Sequence, residues 1–346
     1  MYSQIDVKSK IKDYSIKFED LNHIIRLSNL PNTITIIDSN VAHYFPQIGY
    51  GFTISVDTNE NLKTWDGVKV IFDELLSVKA NINTKLLVIG GGVLQDAVGF
   101  CASVFCRGID YILVPTTLLS QIDSCVGGKT SINYGSRKNI LGTFYPPVEI
   151  IICEEFLEGL SQENFCSGLG ELYKFDILRN KILSSEINEL ITRKQPVLEH
   201  INESLLYKIS ILEIDEFDKL ERKFLNFGHT FGHALEITSN YKLSHGYAVV
   251  VGCLIALDVS QSLFGTHIYS KTIEIAKNLL SQTCPIEKDW FDFNKLMECV
   301  KSDKKNTGCV NMVLIKDRQP VVQKIEDYSI IKRALENTYE AIRLCN

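Results

Sequence analysis

The 346-residue chain predicts a parallel α/β layer followed by a helical half. Short β-branched runs recur through the first half with helical patterns between them. Each run ends in turn residues, and from about Gln162 the periodicity is helical throughout, as in the amphipathic stretch from Pro196 to Leu212.

Taken in order, Thr33 to Ile37 runs into Asp38-Ser39-Asn40, and Lys85 to Ile89 runs into Gly90-Gly91-Gly92. Tyr111 to Val114 ends at Pro115-Thr116-Thr117, and Val148 to Ile152 is the fourth run. The turns with chemical potential therefore stand at strand carboxyl ends, where open α/β sheets bind ligands. The last run gives way to helices between residues 153 and 162. That divides the chain into an α/β domain over 1–157 and a helical domain over 158–346. A chain this long exceeds one ordinary core.

Composition narrows the function. Apolar content of 45% with 23% charged residues describes a soluble globular protein. A net charge of −6 and a pI near 5.7 argue against a nucleic-acid or membrane surface. The longest apolar run, about Tyr247 to Leu257, is too short to span a bilayer and reads as a buried helix. The first residues contain no apolar stretch of the secretory kind. Ten cysteines, scattered through apolar segments without a CxxC pair, fit reduced thiols in a cytoplasmic enzyme.

Three of the seven histidines fall in Asn226-Phe-Gly-His229-Thr-Phe-Gly-His233-Ala-Leu-Glu236 and Ser244-His245-Gly246. His229 and His233 are four apart, so a helix places them on one face. A turn at Ser239-Asn240-Tyr241 could return His245 to the same place. Neutral imidazoles converging with a carboxylate suit a borderline divalent cation such as zinc. Core or capping histidines are the plain alternative. Gly168-Leu-Gly170-Glu171-Leu-Tyr-Lys174 puts Glu171 and Lys174 on one face of an enclosed helix, where a carboxylate needs a partner or a metal. Glu171 is thus the candidate oxygen ligand of a His2Glu site. Arg222 and Asn226, a turn apart before His229, would add polar groups to the same cavity.

Gly90-Gly91-Gly92-Val93-Leu94-Gln95-Asp96 follows a strand and opens a helix, which allows a diphosphate to approach helix N-terminal amides. Glu60 and Lys63 read as a solvated polar pair. Asp123-Ser-Cys-Val-Gly127-Gly128-Lys129-Thr130 is not a P-loop, because Asp stands where GxxxxGK[ST] needs glycine. Lys129, with Arg137-Lys138-Asn139 nearby, reads instead as an anion-binding arc.

In order and spacing, GGGVLQDAVGF, RGIDYILVPTTLLSQIDSCVGGKTSIN, KNILGTFYPP, SGLGELYK, LNFGHTFGHALE and SHGYAV resemble the dehydroquinate synthases, within the wider sugar phosphate cyclases. The resemblance spans roughly Asp38 to Lys305. It implies a Rossmann-like NAD domain, an all-α metal domain, and an active site in the cleft between them. Glu171, His229 and His245 match the family's zinc ligands, with cobalt an alternative metal, and His233 matches a proton-handling group. Asp123, Lys129, Asn139, Lys174, Lys208, Arg222 and Asn226 match substrate-contacting positions. Lys304 or Lys305 matches a phosphate-binding lysine. Arg107 matches an arginine that reaches across a homodimer interface to the phosphate. Asp38, Asn40, Glu60, Lys63, Gly91, Gly92, Val93, Asp96, Thr116, Thr117 and Lys138 match NAD-contacting positions. The chain departs from the family at Asp218 (usually Glu), Tyr247 (Glu), Gly170 (Ala) and Gly159 (Thr), and it lacks the usual arginine after Lys305.

The resemblance implies conversion of 3-deoxy-D-arabino-heptulosonate 7-phosphate to 3-dehydroquinate and phosphate in the shikimate pathway. Three rivals are a cyclase of the 2-deoxy-scyllo-inosose or valiolone type, a metal-dependent polyol or glycerol-phosphate dehydrogenase, and a degenerate paralogue kept for binding or assembly, which the intact Glu171, His229 and His245 argue against.

Overall fold

The computed structural model describes residues 4–49, 51–135, 137–181, 186–283, 285–302 and 309–343. The chain forms two compact units. The first comprises Met1–Ser161 with Lys208–Phe217, and the second comprises Gln162–Tyr207 with Asp218–Asn346.

The strands of the first unit are β1 (Ile5–Val7), β2 (Tyr14–Phe18), β3 (Thr33–Asp38), β4 (Phe52–Val56), β5 (Lys85–Gly90), β6 (Tyr111–Pro115), β7 (Lys129–Tyr134), β8 (Arg137–Phe144) and β9 (Glu149–Ile152). Its helices are α1 (Leu21–Ser28), α2 (Ser39–Tyr44), α3 (Trp65–Ser77) and α4 (Gly92–Val104). Seven strands make one sheet in the order β1-β2-β9-β6-β5-β3-β4, and β7 and β8 form a separate hairpin. Only the β1–β2 pair of that sheet is antiparallel. The four runs read from the sequence are the contiguous centre, β9-β6-β5-β3. Their uninterrupted apolar stretches suit parallel strands covered on both faces. Ile37, Leu87, Ile89, Ile112, Val114 and Ile151 build the core there with Ile24 and Phe156. The more polar outer strands β1, β2 and β4 were not legible.

The second unit holds α5 (Gln162–Leu178), α6 (Ile187–Ile191), α7 (Leu198–Ile214, its end grouping with the first unit), α8 (His229–Thr238), α9 (His245–Phe264), α10 (Ile268–Leu280), α11 (Phe293–Ser302) and α12 (Tyr328–Ile342). To the expected helices it adds one antiparallel hairpin, β10 (Val310–Lys316) with β11 (Gln319–Ile325). The two residues between the strands, Asp317 and Arg318, are both left-handed, at φ 49° and 64°. That is the tight turn whose twist suits a hairpin.

α9 is the axis of this unit. It is buried from Gly246 to Ser260 and packs against α5, α8, α10 and α12. Its 20 residues are long and apolar enough to cross a bilayer, which corrects the expectation drawn from the shorter run. Its burial among these helices makes it a core element. Cys101, Cys125, Cys153, Cys166 and Cys253 are buried and unbridged, and burial pushes the Cys125 and Cys153 thiols up to about 12.

Candidate functional site

Glycines assemble the histidine cluster. Gly228 precedes α8 with φ 78°, and a Cβ there would lie 2.5 Å from Cys253 Sγ and 2.9 Å from the Val249 carbonyl on α9. α8 then carries His229 and His233 on one face, with ring centroids 5.2 Å apart. The chain reverses through Asn240 and Tyr241, left-handed at φ 52° and 59°. The Ser239 hydroxyl accepts from the Leu243 amide at 3.3 Å within that turn. His245 opens α9, its ring 5.4 Å from that of His229 and 5.9 Å from that of His233. Gly170 and Gly246 let α5 meet α9, since a Cβ on Gly170 would collide with the Gly246 carbonyl and one on Gly246 with the Ser167 carbonyl. Glu171 arrives beside His245 for that reason.

Glu171 Oε1 lies 3.1 Å from His245 Nε2 and 3.5 Å from His229 Nε2. N and O donors around a tetrahedral zinc stand roughly 3.3–3.5 Å apart, given bonds of about 2.0–2.2 Å. The three atoms therefore fit one divalent cation. The remote ring nitrogens are also engaged: His229 Nδ1 is 3.0 Å from the Phe227 carbonyl, and His245 Nδ1 is 3.4 Å from Glu236. A backbone carbonyl on Nδ1 favours the tautomer that leaves Nε2 free to bind metal.

Lys174 Nζ sits 2.5 Å from Glu171 Oε2, with both side chains essentially without solvent exposure. Burial alone would raise the Glu171 carboxyl, but Lys174, His245 and His229 hold it well below the usual carboxylate range. Burial pushes His229 down, toward the neutral ligand form. Burial also opposes charge on His245, yet its bonds to Glu171 and Glu236 prevail and raise it to about 10.

Arg222 is buried in the helical turn Glu221–Asn226 that leads into α8, and Asn226 ends it, its amide donating to the Lys223 carbonyl at 3.1 Å.

The first unit carries a second cluster. Gly91 caps α4 without a side-chain bond to its first amides, and Gly92 and Val93 form the first turn. A Cβ on Gly91 would come within 3.1 Å of Thr117, and one on Gly92 within 3.2 Å of the Ser124 hydroxyl. The uncapped amides of a 13-residue helix, reachable over bare backbone, fit a diphosphate. Thr116 is buried beside them and donates its amide to the Gly90 carbonyl at 3.3 Å. Asp38 closes β3 and accepts from the Asn40 amide at 2.8 Å. Lys63 is buried, which overturns its reading as solvated surface. Its ammonium donates to Asp96 and to Asn139, each at 2.6 Å. Glu60 accepts from Asn133 at 2.8 Å and lies 3.8 Å from Lys138.

Asp123 and Lys208 pair with each other at 2.8 Å. Lys129 is exposed at the start of β7. Arg107 is exposed with φ 65°, beside Gly108 at φ 120°. Lys304 and Lys305 lie outside the described residues.

Two departures have local reasons. Tyr247 is buried, and its hydroxyl donates toward the Glu163 and Gln282 carbonyls at 3.3 and 3.2 Å, tying α9 to its neighbours. Gly170 leaves space for the Gly246 carbonyl. The sequence reading did not assign roles to Glu236, Ser131 or Asn133. For Glu236 the signal was its spacing, seven after His229. Ser131 bonds both Asp96 and Asn139, at 3.1 and 2.9 Å, and only the hairpin pairing reveals it.

A carboxylate–imidazole cation site in a helical unit, together with an α/β unit bearing a glycine turn at a strand end, defines the class. The chain belongs to the 3-dehydroquinate synthase family: the family's N-terminal model matches residues 53–167 and its C-terminal model residues 168–306. A 3-dehydroquinate synthase of Clostridium tetani is 39% identical over 277 residues, 77% of this chain and 73% of its own. One of Streptococcus pyogenes serotype M49 is 31% identical, covering 94% of this chain and 99% of its own. Among solved structures, 2-deoxy-scyllo-inosose synthase complexed with carbaglucose-6-phosphate, NAD+ and Co2+ shares the fold. Its TM-score is 0.84 at 22% identity, over 97% of this chain and 100% of that one.

Proposed function

We propose that the chain is a cytoplasmic, homodimeric lyase that converts 3-deoxy-D-arabino-heptulosonate 7-phosphate to 3-dehydroquinate and phosphate. The observation that carries this reading is the Glu171–His229–His245 cluster, with Lys174 against it, in a chain related along its length to enzymes of that name. The valiolone- and inosose-type cyclases support only the fold, at 22% identity.

Glu171, His229 and His245 would hold zinc or cobalt. The amides opening α4, with Asp38, Thr116, Thr117 and the Glu60–Lys63–Asp96–Lys138 network, would hold NAD. When bound, NAD+ supplies a reversible hydride acceptor and the cation a Lewis acid. The chain's own groups bind and orient. Lys129 and Arg222 take the substrate anions, the first as a compact charge and the second as a planar fork. Asn139, Asn226 and Lys208 fix its hydroxyls and carboxylate, and Arg107 of one protomer reaches the phosphate in its partner's site. His233 moves a proton at a substrate oxygen, its ring beside both ligand rings. Lys174 holds Glu171 ionised before any cation arrives.

The test is incubation of the purified protein with the heptulosonate phosphate, NAD+ and zinc. Equal amounts of phosphate and dehydroquinate, without accumulating NADH, are expected. Phosphate release from a hexose 6-phosphate alone would point to another cyclase. NADH rising in step with product would point to a dehydrogenase.

A further inference from the structure

The last turn of α8 carries no basic residue and instead carries Glu236, where a helix's carbonyl end disfavours a carboxylate. Glu236 follows His229 by seven residues and His233 by three, so it shares their face. Its side chain is 17% exposed, and both its oxygens lie 3.4 Å from His245 Nδ1. The other nitrogen of that ring, Nε2, lies 3.1 Å from Glu171 Oε1. One imidazole is thus held between two carboxylates that arrive from α5 and α8. His229 Nδ1 instead faces a backbone group, the Phe227 carbonyl.

We propose that Glu236 is a positioning residue for the metal ligand His245. It fixes the rotation of the ring and the nitrogen that carries the proton, so that Nε2 faces the cation. The arrangement that connects Nε2 with Glu171 and His229 leaves Nδ1 for Glu236, which stands behind the ring. A carboxylate on the remote nitrogen also makes a ligating imidazole more basic. The inference rests on the metal reading above.

The experiment strips the full chain of metal and titrates it with Co2+ against a competing chelator, following the visible absorption of the cobalt. The unaltered chain is expected to bind one equivalent and His245→Ala to lose it. Glu236→Ala should bind about 10–100-fold more weakly, with a shifted or weakened visible band, while metal-free melting stays within a few degrees. Glu236→Gln, which keeps an oxygen facing Nδ1, should fall between the two. Unchanged affinity and spectrum in Glu236→Ala would overturn the proposal. So would a second equivalent of cobalt that disappears with Glu236, since His233, Glu236 and His245 would then be ligands themselves. Should Glu236→Ala fold poorly, Glu236→Gln decides: weaker binding supports the role, and an affinity and spectrum equal to the unaltered chain's refute it. No cobalt uptake by the unaltered chain would instead remove the metal reading.

Discussion

Arg222 is buried and Lys129 exposed, yet both are assigned to the same anions, so their variants separate anion binding from the metal. Replacing either with Ala should remove charge-assisted bonds worth roughly 1.5–3 kcal/mol, one to two decades of affinity for a substrate-like phosphonate. Zinc content and NAD binding should stay nearly unchanged in calorimetric titration. Loss of zinc or NAD with phosphonate affinity intact would make these residues structural. Asp176 on α5 offers a second test away from the histidines. Burial raises its carboxyl from an ordinary 3.8 to about 7, with Arg179 at 3.6 Å opposing only part of the effect. An acid that holds its proton more tightly when folded contributes full stability below pH ~4. That contribution falls as the pH rises from about 4 to about 7 and is then constant. Asp176→Asn should flatten this slope and add stability on the order of 2–4 kcal/mol at pH 8, read as a higher melting temperature. Coincident melting curves for both proteins from pH 4 to 8 would show Asp176 to be ordinary. At this scale the four-residue spacing of His229 and His233 was enough to foresee their rings on one face of α8. The sequence could not reveal that Lys63 is buried, because the partner Asn139 lies across a hairpin whose pairing no local pattern displays.

The helices of the second unit approach one another through bare backbone, and the Glu171–His229–His245 cluster is a product of that approach. Gly246→Ala would set a Cβ against the Ser167 carbonyl, and Gly170→Ala would set one against the Gly246 carbonyl, so α5 and α9 must separate in either case. Overpacking of this kind costs about 1–3 kcal/mol and occasionally more. Both variants should melt earlier and bind zinc more weakly, because Glu171 and His245 each adjoin one of these glycines in sequence. Gly265→Ala is the comparison, a glycine with open space whose only handicap is φ 70°. It should leave zinc affinity unchanged. Elements were legible where burial makes a pattern continuous. The central strands β3, β5, β6 and β9 show it, while β1, β2 and β4 lie outside that centre; β10 has a buried run too, from Met312 to Ile315, but it stands amid helical sequence and pairs only with the more exposed β11.

For the whole molecule, the net charge of −6 agrees with a family whose members are enzymes and with the proposal that a few individual cations, Lys129 and Arg222 among them, meet the substrate's anions. The same scale gives α9 a further meaning. A 20-residue apolar helix that satisfies the length and composition of a membrane span must be covered before it meets other surfaces. Two of its covering helices, α5 and α8, precede it in the chain, but α10 and α12 follow, α12 not until Tyr328. In a chain made from its N-terminus, the face of α9 that α12 covers would wait more than sixty residues for that helix. A chain ended at Glu326 should collect in inclusion bodies or with chaperones, whereas the full chain is recovered from the supernatant. Equal solubility of the two would mean that the earlier helices suffice. The order in which the helices are made thus becomes a condition on the histidine cluster, because the helix that must wait for its last cover is the one that begins with His245.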